Sequence, residues 1–276
     1  MYSLKLGTSV SLFSPTDYRK EYFQDIQEIK KLGFYSVDVS LDEVGGYKNS
    51  MEKCTLALDD ALKAVVDVGL KLNGVHLPFS AVGNNITSYD DGVRAFCVAE
   101  FIDMIGVCDR YKPDFYIFHS MAGSAVEGVR EKRKPFVQRT FSELVSATKA
   151  TVCLENMTGG GVPNTSAEAI KIVDGVKGGK ICFDTNHFVQ EKPHEAILAL
   201  GQRIATLHVS DYDFVKERHL MPLQGKIDWL KLIGALEQVG YHGVFNYELS
   251  MKKYGYTYRQ IKDNYRKLFD DFNKKG

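Results

Sequence analysis

The stretch Ile181-Cys-Phe-Asp-Thr-Asn-His187 begins as a buried apolar strand and turns polar within one residue. An acid and an imidazole stand three positions apart at its end, where neither a core nor a plain surface loop needs them. Taken as a strand over 181–184, it has counterparts throughout the chain: 4–10, 36–41, 71–77, 115–119, 152–155, 205–209 and 244–248. Between these runs apolar residues recur at helical spacing, over 23–32, 56–68, 93–111, 136–147, 167–173, 194–200, 229–239 and 258–272. Several of these helices end on glycine just before the next strand, in KKLGF, VDVGL and EQVGY, the usual C-terminal stop ahead of a short connection. Eight strands, each followed by a helix, predict an α/β fold: a (β/α)8 TIM barrel, with residues 1–276 as a single domain. The rival, a doubly wound open sheet, would have fewer repeats and a glycine-rich first turn, and LGTSVSLFS after the first strand contains no GxGxxG.

Composition narrows the function. Hydrophobic residues make up 44% of the 276 and charged residues 25%, as in ordinary soluble globular proteins. Thirty-five basic residues balance thirty-five acidic ones, so no global field draws in a phosphate backbone, and no nucleic-acid partner is expected. The five cysteines form no CxxC pair and are odd in number, which points to a reducing compartment without a disulfide framework. The start, MYSLKLGTSVSL, lacks a charged leader followed by an apolar segment, and no window approaches the roughly 18 apolar residues of a membrane span. The expectation is a cytoplasmic protein with no membrane partner; a homo-oligomer is compatible with it.

In a parallel barrel, functional groups gather at the C-terminal ends of the strands. The third strand ends GVHLPF with His76, the fourth IFHS with His119 and the fifth CLEN with Glu155. The sixth ends with Asp184 and His187, the seventh (LHVSD) with His208 and the eighth (NYELS) with Glu248. A carboxylate at a buried strand end is costly unless it is paired or bound to a metal. Singly, each of these residues fits a hydrogen-bonded structural role. Together, Glu155, Asp184, His208 and Glu248 predict a metal site.

This pattern resembles the xylose isomerase-like barrel superfamily of sugar-phosphate isomerases and epimerases, over essentially the whole chain. The motifs that carry the likeness are CLEN, CFDTNH, LHVSDYD, ERHLMPLQGKIDW and YELS. In the fourth of these, His219, Pro222, Gly225, Ile227, Asp228 and Trp229 match a His-then-Pro-Gly-Gly-like segment leading into Ile-Asp-Trp, with Leu223-Gln224 where a glycine-acid pair is frequent. The resemblance implies that Glu155, Asp184, His208 and Glu248 are the protein ligands of one divalent metal. Three oxygens and one imidazole suit Mn2+, Mg2+ or Co2+, and Zn2+ is also compatible. His187 would face a small-molecule sugar, or would join a second metal. Glu155 and Glu248 would flank a sugar carbon as base and acid, working through a metal-stabilised ene-diolate. Epimerisation, isomerisation and dehydration all proceed from that intermediate, so a dehydratase of a cyclitol-derived ketone or related acid remains an alternative, as does a non-catalytic sugar-binding barrel.

The chain departs from the ketohexose epimerases of that superfamily at two positions. Gly161 and Phe214 stand where those enzymes carry a second glutamate and an arginine that contact the sugar. The superfamily's other branch, the endonuclease IV-type DNA repair enzymes, uses a three-zinc cluster. Its additional ligand positions match His76, His119, His187 and His219, with Glu217 where that pattern has an aspartate. Against a zinc phosphodiesterase stand the zero net charge and the reading of VREKRKPF (129–136) as a solvated helix start.

The remaining candidates concern the mouth. NMTGGGVPNT (156–165) reads equally as a closing lid and as a plain surface loop, whereas KERHLMPLQGKIDW is long enough to reach over the mouth. His76, His119, His187, Arg218 and His219 are the expected substrate contacts, and Phe79 and Phe188 are candidates for an apolar wall or for core packing. Asp228 is the expected cap of the helix that Trp229 opens, and His194 and His242 are expected bystanders.

Overall fold

A computed structural model of the chain describes residues 1–11, 18–40, 51–79, 85–120, 127–188 and 190–275. The first half runs β1 (Lys5–Ser11), α1 (Tyr18–Lys31), β2 (Ser36–Ser40), α2 (Met51–Asp67), β3 (Lys71–His76), α3 (Asp91–Cys108), β4 (Phe115–Phe118) and α4 (Glu127–Ala147). The second half continues with β5 (Thr151–Glu155), α5 (Ser166–Asp174), β6 (Lys180–Asp184), α6 (Pro193–Leu200), β7 (Ile204–His208), α7 (Trp229–Gln238), β8 (Val244–Tyr247), a single turn α8 (Met251–Tyr254) and α9 (Tyr258–Lys275). The strands pair in parallel in the order β7-β6-β5-β4-β3-β2-β1-β8. Closure comes from a parallel bridge between Val209 and Tyr247. There the Val209 N–H donates to the carbonyl of Asn246 at 2.8 Å and the Glu248 N–H to that of Val209 at 3.0 Å. The expected (β/α)8 barrel is the architecture found.

The strands are buried on both faces, which is why they read as continuous apolar runs. Val37, Val39, Leu72, Val75, Tyr116 and Phe118 belong to a buried layer shared with Ile26, Leu62, Phe101, Phe141 and Ile233 of the helices. Each such side chain stabilises the fold by roughly 1.5–3 kcal/mol on transfer from water. The glycines of KKLGF, VDVGL and EQVGY sit at φ +80°, +73° and +70°, the left-handed stop that a side chain would strain. Asp228 caps α7, accepting from the Lys231 N–H at 3.2 Å, as its position suggested.

The basic run 129–136 lies in the first turns of α4, as expected, with Pro135 within it. It is not a wholly solvated face, however: Arg130 is buried, donating from Nε to the carbonyl of Gly161 at 3.2 Å and from Nη2 to Asn164 at 2.7 Å and to Glu168. Lys134 pairs with Glu168 as well, at 3.0 Å. The four described cysteines, Cys97, Cys108, Cys153 and Cys182, are free and buried; the Cys54 side chain lies outside the described residues. Among the described residues no helix is long and apolar enough to cross a membrane.

Candidate metal centre

Because all strands run parallel, their ends open on one face. Glu155 ends β5, Asp184 ends β6, His208 ends β7, and Glu248 follows β8 directly. Their ligating atoms fall within 4.8 Å of one another, close enough for one ion to touch all four. His208 Nδ1 lies 3.1 Å from Glu155 Oε1 and 3.3 Å from Glu248 Oε2. Asp184 is fully buried; its Oδ1 accepts from the Asn186 N–H at 2.5 Å, while among the described residues its Oδ2 has no hydrogen-bond partner. A buried carboxylate oxygen left without a donor is expensive in a folded chain, and a cation there removes the cost. The donor set therefore fits a divalent ion.

Electrostatics agree with that fit. Burial pushes the Asp184 carboxyl up to about 7. Burial would also raise Glu155, but the charges of His208 and His119 outweigh it and hold that carboxyl well below its usual range. Burial would lower His208, yet the surrounding Cys182, Glu248 and Glu155 keep it well above the ordinary imidazole range. A cluster that draws extra protons onto its ligands in this way is one whose charge calls for a cation.

Four further histidines surround the first group. His76 donates from Nδ1 to the Leu77 carbonyl at 2.7 Å and places Nε2 3.0 Å from Glu155 Oε2. His119 Nε2 approaches the same oxygen at 3.2 Å. His187 donates from Nδ1 to the Asn156 carbonyl at 2.8 Å, leaving Nε2 3.8 Å from Asp184 Oδ2 and 3.4 Å from Glu217 Oε1. His219 has Nδ1 3.2 Å from the Glu248 carbonyl and Nε2 3.0 Å from Glu217 Oε1. Asp184, His187 and His219 thus make a second group able to hold an ion. Hydrogen bonds from His187 and His219 lower the Glu217 carboxyl far below its usual range.

The long loop between β7 and α7 is folded around one side chain that sequence reasoning passed over. Asp211 accepts from the backbone N–H groups of Leu223 (2.8 Å) and Ile227 (3.1 Å) and from the indole N–H of Trp229 (2.8 Å). A Cβ on Gly225 would lie 2.3 Å from the same carboxylate, so PLQGKIDW is the sequence of a turn wrapped on an acid. With its amide turned so that the oxygen faces them, Asn186 accepts from the N–H of Arg218 and His219 at 3.2 and 3.3 Å, which ties the DTNH turn to this loop. Arg218 itself turns to Asp213 on its own loop and does not line the cavity over the site.

That cavity encloses about 640 Å3 and is lined by His76, His119, His187, Glu217, His219 and Glu248, with Phe79, Met157 and Leu249 on its apolar side. Phe188 is instead core, packed on Phe183 at 5.7 Å. His194 and His242 lie outside the cavity lining. The segment 156–165 is cross-braced within itself and tied by one hydrogen bond to Glu217. Met157 N–H donates to the Pro163 carbonyl at 2.7 Å, Asn164 Nδ2 to the Gly159 carbonyl at 2.7 Å, and the Thr158 hydroxyl to Glu217 at 3.3 Å. At Gly161 a Cβ would sit 2.4 Å from that of Met157, so this loop path has no room for the glutamate of the ketohexose epimerases. Phe214 packs edge-on against Tyr212 at 5.1 Å.

Sequence reasoning also missed Asp38. This acid lies between valines in β2, is 1% exposed, and sits beneath the centre with Oδ2 3.4 Å from His208 Nε2. Its signal was the acid inside an apolar strand, SVDVS.

Against known proteins, residues 26–273 match the family model described as xylose isomerase-like TIM barrel. A D-psicose 3-epimerase of Enterocloster bolteae is 24% identical over 247 residues, covering 82% of this chain and 77% of that protein. Among solved structures, a D-tagatose 3-epimerase-like protein superposes with a TM-score of 0.77 at 19% identity, over 99% of both chains. A 3-keto-D-glucoside 4-epimerase from E. coli gives 0.72 at 15% identity, over 97% of this chain and all of that one. The D-psicose 3-epimerase of Clostridium cellulolyticum H10 gives 0.70 at 16% identity, over 98% of both.

Proposed function

This chain belongs to the xylose isomerase-like TIM barrel family, and on that premise we propose that it is a divalent-metal-dependent isomerase or epimerase of a small sugar, sugar phosphate or sugar derivative. The observation that carries the reading is the convergence of Glu155, Asp184, His208 and Glu248 within 4.8 Å at the barrel mouth. Mn2+, Mg2+ or Co2+ suits their three carboxylates and one imidazole, with Zn2+ chemically compatible. When bound, such an ion supplies positive charge that polarises a substrate carbonyl and makes the neighbouring C–H more acidic.

The chain's own groups handle the proton. Glu248 lines the cavity, and Glu155 lies below it with Oε2 between His76 and His119, which do line it. As a base and acid pair they would take a proton from a sugar carbon and return it to the other face or to the adjacent carbon. His187 and His219 would hold hydroxyl oxygens, and Phe79, Met157 and Leu249 would cover the apolar face of the ring and exclude water. With Gly161 and Phe214 in place of the polar pair, recognition differs from that of the ketohexose epimerases, which favours a derivatised sugar.

The test has two parts. Purified protein is assayed for metal content, then incubated in D2O with ketoses, ketose phosphates and keto-glycosides. About one Mn2+, Mg2+ or Co2+ per chain, with solvent deuterium entering a carbon next to the carbonyl, is the expected result. Loss of the β-hydroxyl instead would mark a dehydratase, while metal binding with no exchange on any sugar would leave a binding barrel and overturn the enzyme reading. A second reading, a zinc phosphodiesterase, is favoured by the group Asp184, His187 and His219 beside Glu217. Three zincs per chain with cleavage of abasic DNA would select it. Burial of Arg130 weakens it, because the basic run partly serves the fold.

A further inference from the structure

Histidines at this centre are held from behind in two ways. His76 and His187 point Nε2 inward and tie Nδ1–H to a backbone carbonyl; His219 has Nδ1 within 3.2 Å of one. His208 is reversed: Nδ1 faces Glu155 and Glu248, and Nε2 faces back into the barrel. Behind it stands the carboxylate of Asp38, with Oδ2 3.4 Å away in an ion-pair contact; neither of these two atoms makes a hydrogen bond elsewhere among the described residues, and the Cys182 thiol also lies beside the ring.

The neighbours of Asp38 are arranged to place it there. Its Oδ1 accepts from Asn73 Nδ2 at 2.6 Å, and the same amide reaches Thr206 Oγ1 at 3.2 Å on β7, two residues before His208. The register of β3 shifts at this level, so that Asp38 pairs with Gly74 and Asn73 is the extra residue. At Gly74 a Cβ would lie 2.7 Å from Asp38 Oδ2, so only glycine leaves room for the carboxylate. Asn73, Gly74 and Thr206 thus surround one acid whose second oxygen faces His208 Nε2.

The geometry points to Asp38 as the positioning residue of the centre: it fixes His208 as the tautomer protonated on Nε2, so that the Nδ1 lone pair faces the ion. This rests on the metal reading above. An outer carboxylate of this kind raises the basicity of an imidazole ligand and fixes its ring, and its loss typically weakens metal affinity about 10–100-fold.

The experiment measures Mn2+ binding by calorimetry in the full-length protein, wild type against Asp38→Asn and Asp38→Ser, with thermal melts in chelator alongside. The expected result is about a 10–100-fold weaker Mn2+ dissociation constant for both variants, while the metal-free melt of Asp38→Asn, which keeps the shape of the side chain, moves far less than the affinity does. Asn73→Ala, which removes the bonds to the far oxygen and to Thr206 but leaves Oδ2 in place, is expected to lose less. In the Co2+-loaded wild type, the paramagnetically shifted Nε2–H proton of His208 should be protected from solvent exchange, and this protection should be lost in Asp38→Ser. Wild-type Mn2+ affinity in both variants overturns the assignment, as does a metal-free melt that falls in step with affinity, which would mark Asp38 as merely structural. If the wild type itself binds no divalent ion, the metal reading fails first and this inference goes with it.

Discussion

Beneath the centre the barrel interior has two unlike halves. On the β4–β6 side the interior is apolar, filled by Ile117, Cys153 and Cys182, all fully buried. On the side running from β7 through β8 and β1 to β3 it carries Thr206, Asn246, Ser36, Asp38 and Asn73, nearly as buried but polar. The apolar half supports Glu155 and Asp184. There Asp184 is fixed by its own strand and the next: Asn156 accepts from the Asp184 N–H at 2.7 Å and donates to its carbonyl at 2.9 Å. The polar half supports His208, which side chains from remote strands hold. Strand register thus aims one set of ligands, and a buried polar network aims the other.

The largest effect expected is at the apolar side's own ligand. Glu155→Gln keeps the shape but removes the charge that faces His76, His119 and His208. Turnover should fall by about a thousandfold or more, the scale of losing an acid–base group and a metal ligand together, with far-UV circular dichroism still that of a barrel. Near wild-type rates would remove Glu155 from both roles and leave the two halves without a common purpose.

A paired substitution sharpens the contrast itself. Cys153→Ser puts a hydroxyl among Ile117 and Cys182, where a polar group must find a partner or cost about 1–3 kcal/mol. Ser36→Ala on the polar side removes a hydroxyl that has no hydrogen-bond partner among the described residues, so stability should change by less than about 0.5 kcal/mol. Urea unfolding measures both. If the two substitutions cost the same, the polarity difference between the halves has no energetic meaning.

The same asymmetry explains what the sequence could disclose. The strands, the glycine stops and the clustered side chains Glu155, Asp184, His208 and Glu248 were legible because strand ends turn from apolar to polar at a fixed place. Asp38 was not, since a strand buried on both faces shows no alternation to tell which residues look inward. Asp211 was not, because its partners Leu223, Ile227 and Trp229 are reached only once the loop has folded back. Arg130 was misread for a related reason: a run of charges looks solvated until Glu168 and Asn164 of another element are brought to it.

The last prediction concerns protons, and there the halves should act at different pH. An ion must find its ligands deprotonated, so any ligand that holds a proton makes binding weaker as pH falls. On the apolar side Asp184, pushed up to about 7 by burial, is protonated below that value and ionised above it. Displacing this one proton should therefore raise Mn2+ affinity about fivefold between pH 6 and 7, in addition to what other displaced protons contribute. On the polar side burial would lower His208, but Cys182, Glu248 and Glu155 hold it well above its usual range, so it still carries a proton to be displaced above pH 7. The rise should consequently continue from 7 to 8 rather than level off. Asp184→Asn should make the rise between 6 and 7 less steep, leaving only the part that His208 contributes across the whole range. Calorimetric titrations at several pH values decide the matter: a flat profile from 6 to 8 would show that neither half stores a proton for the ion to release.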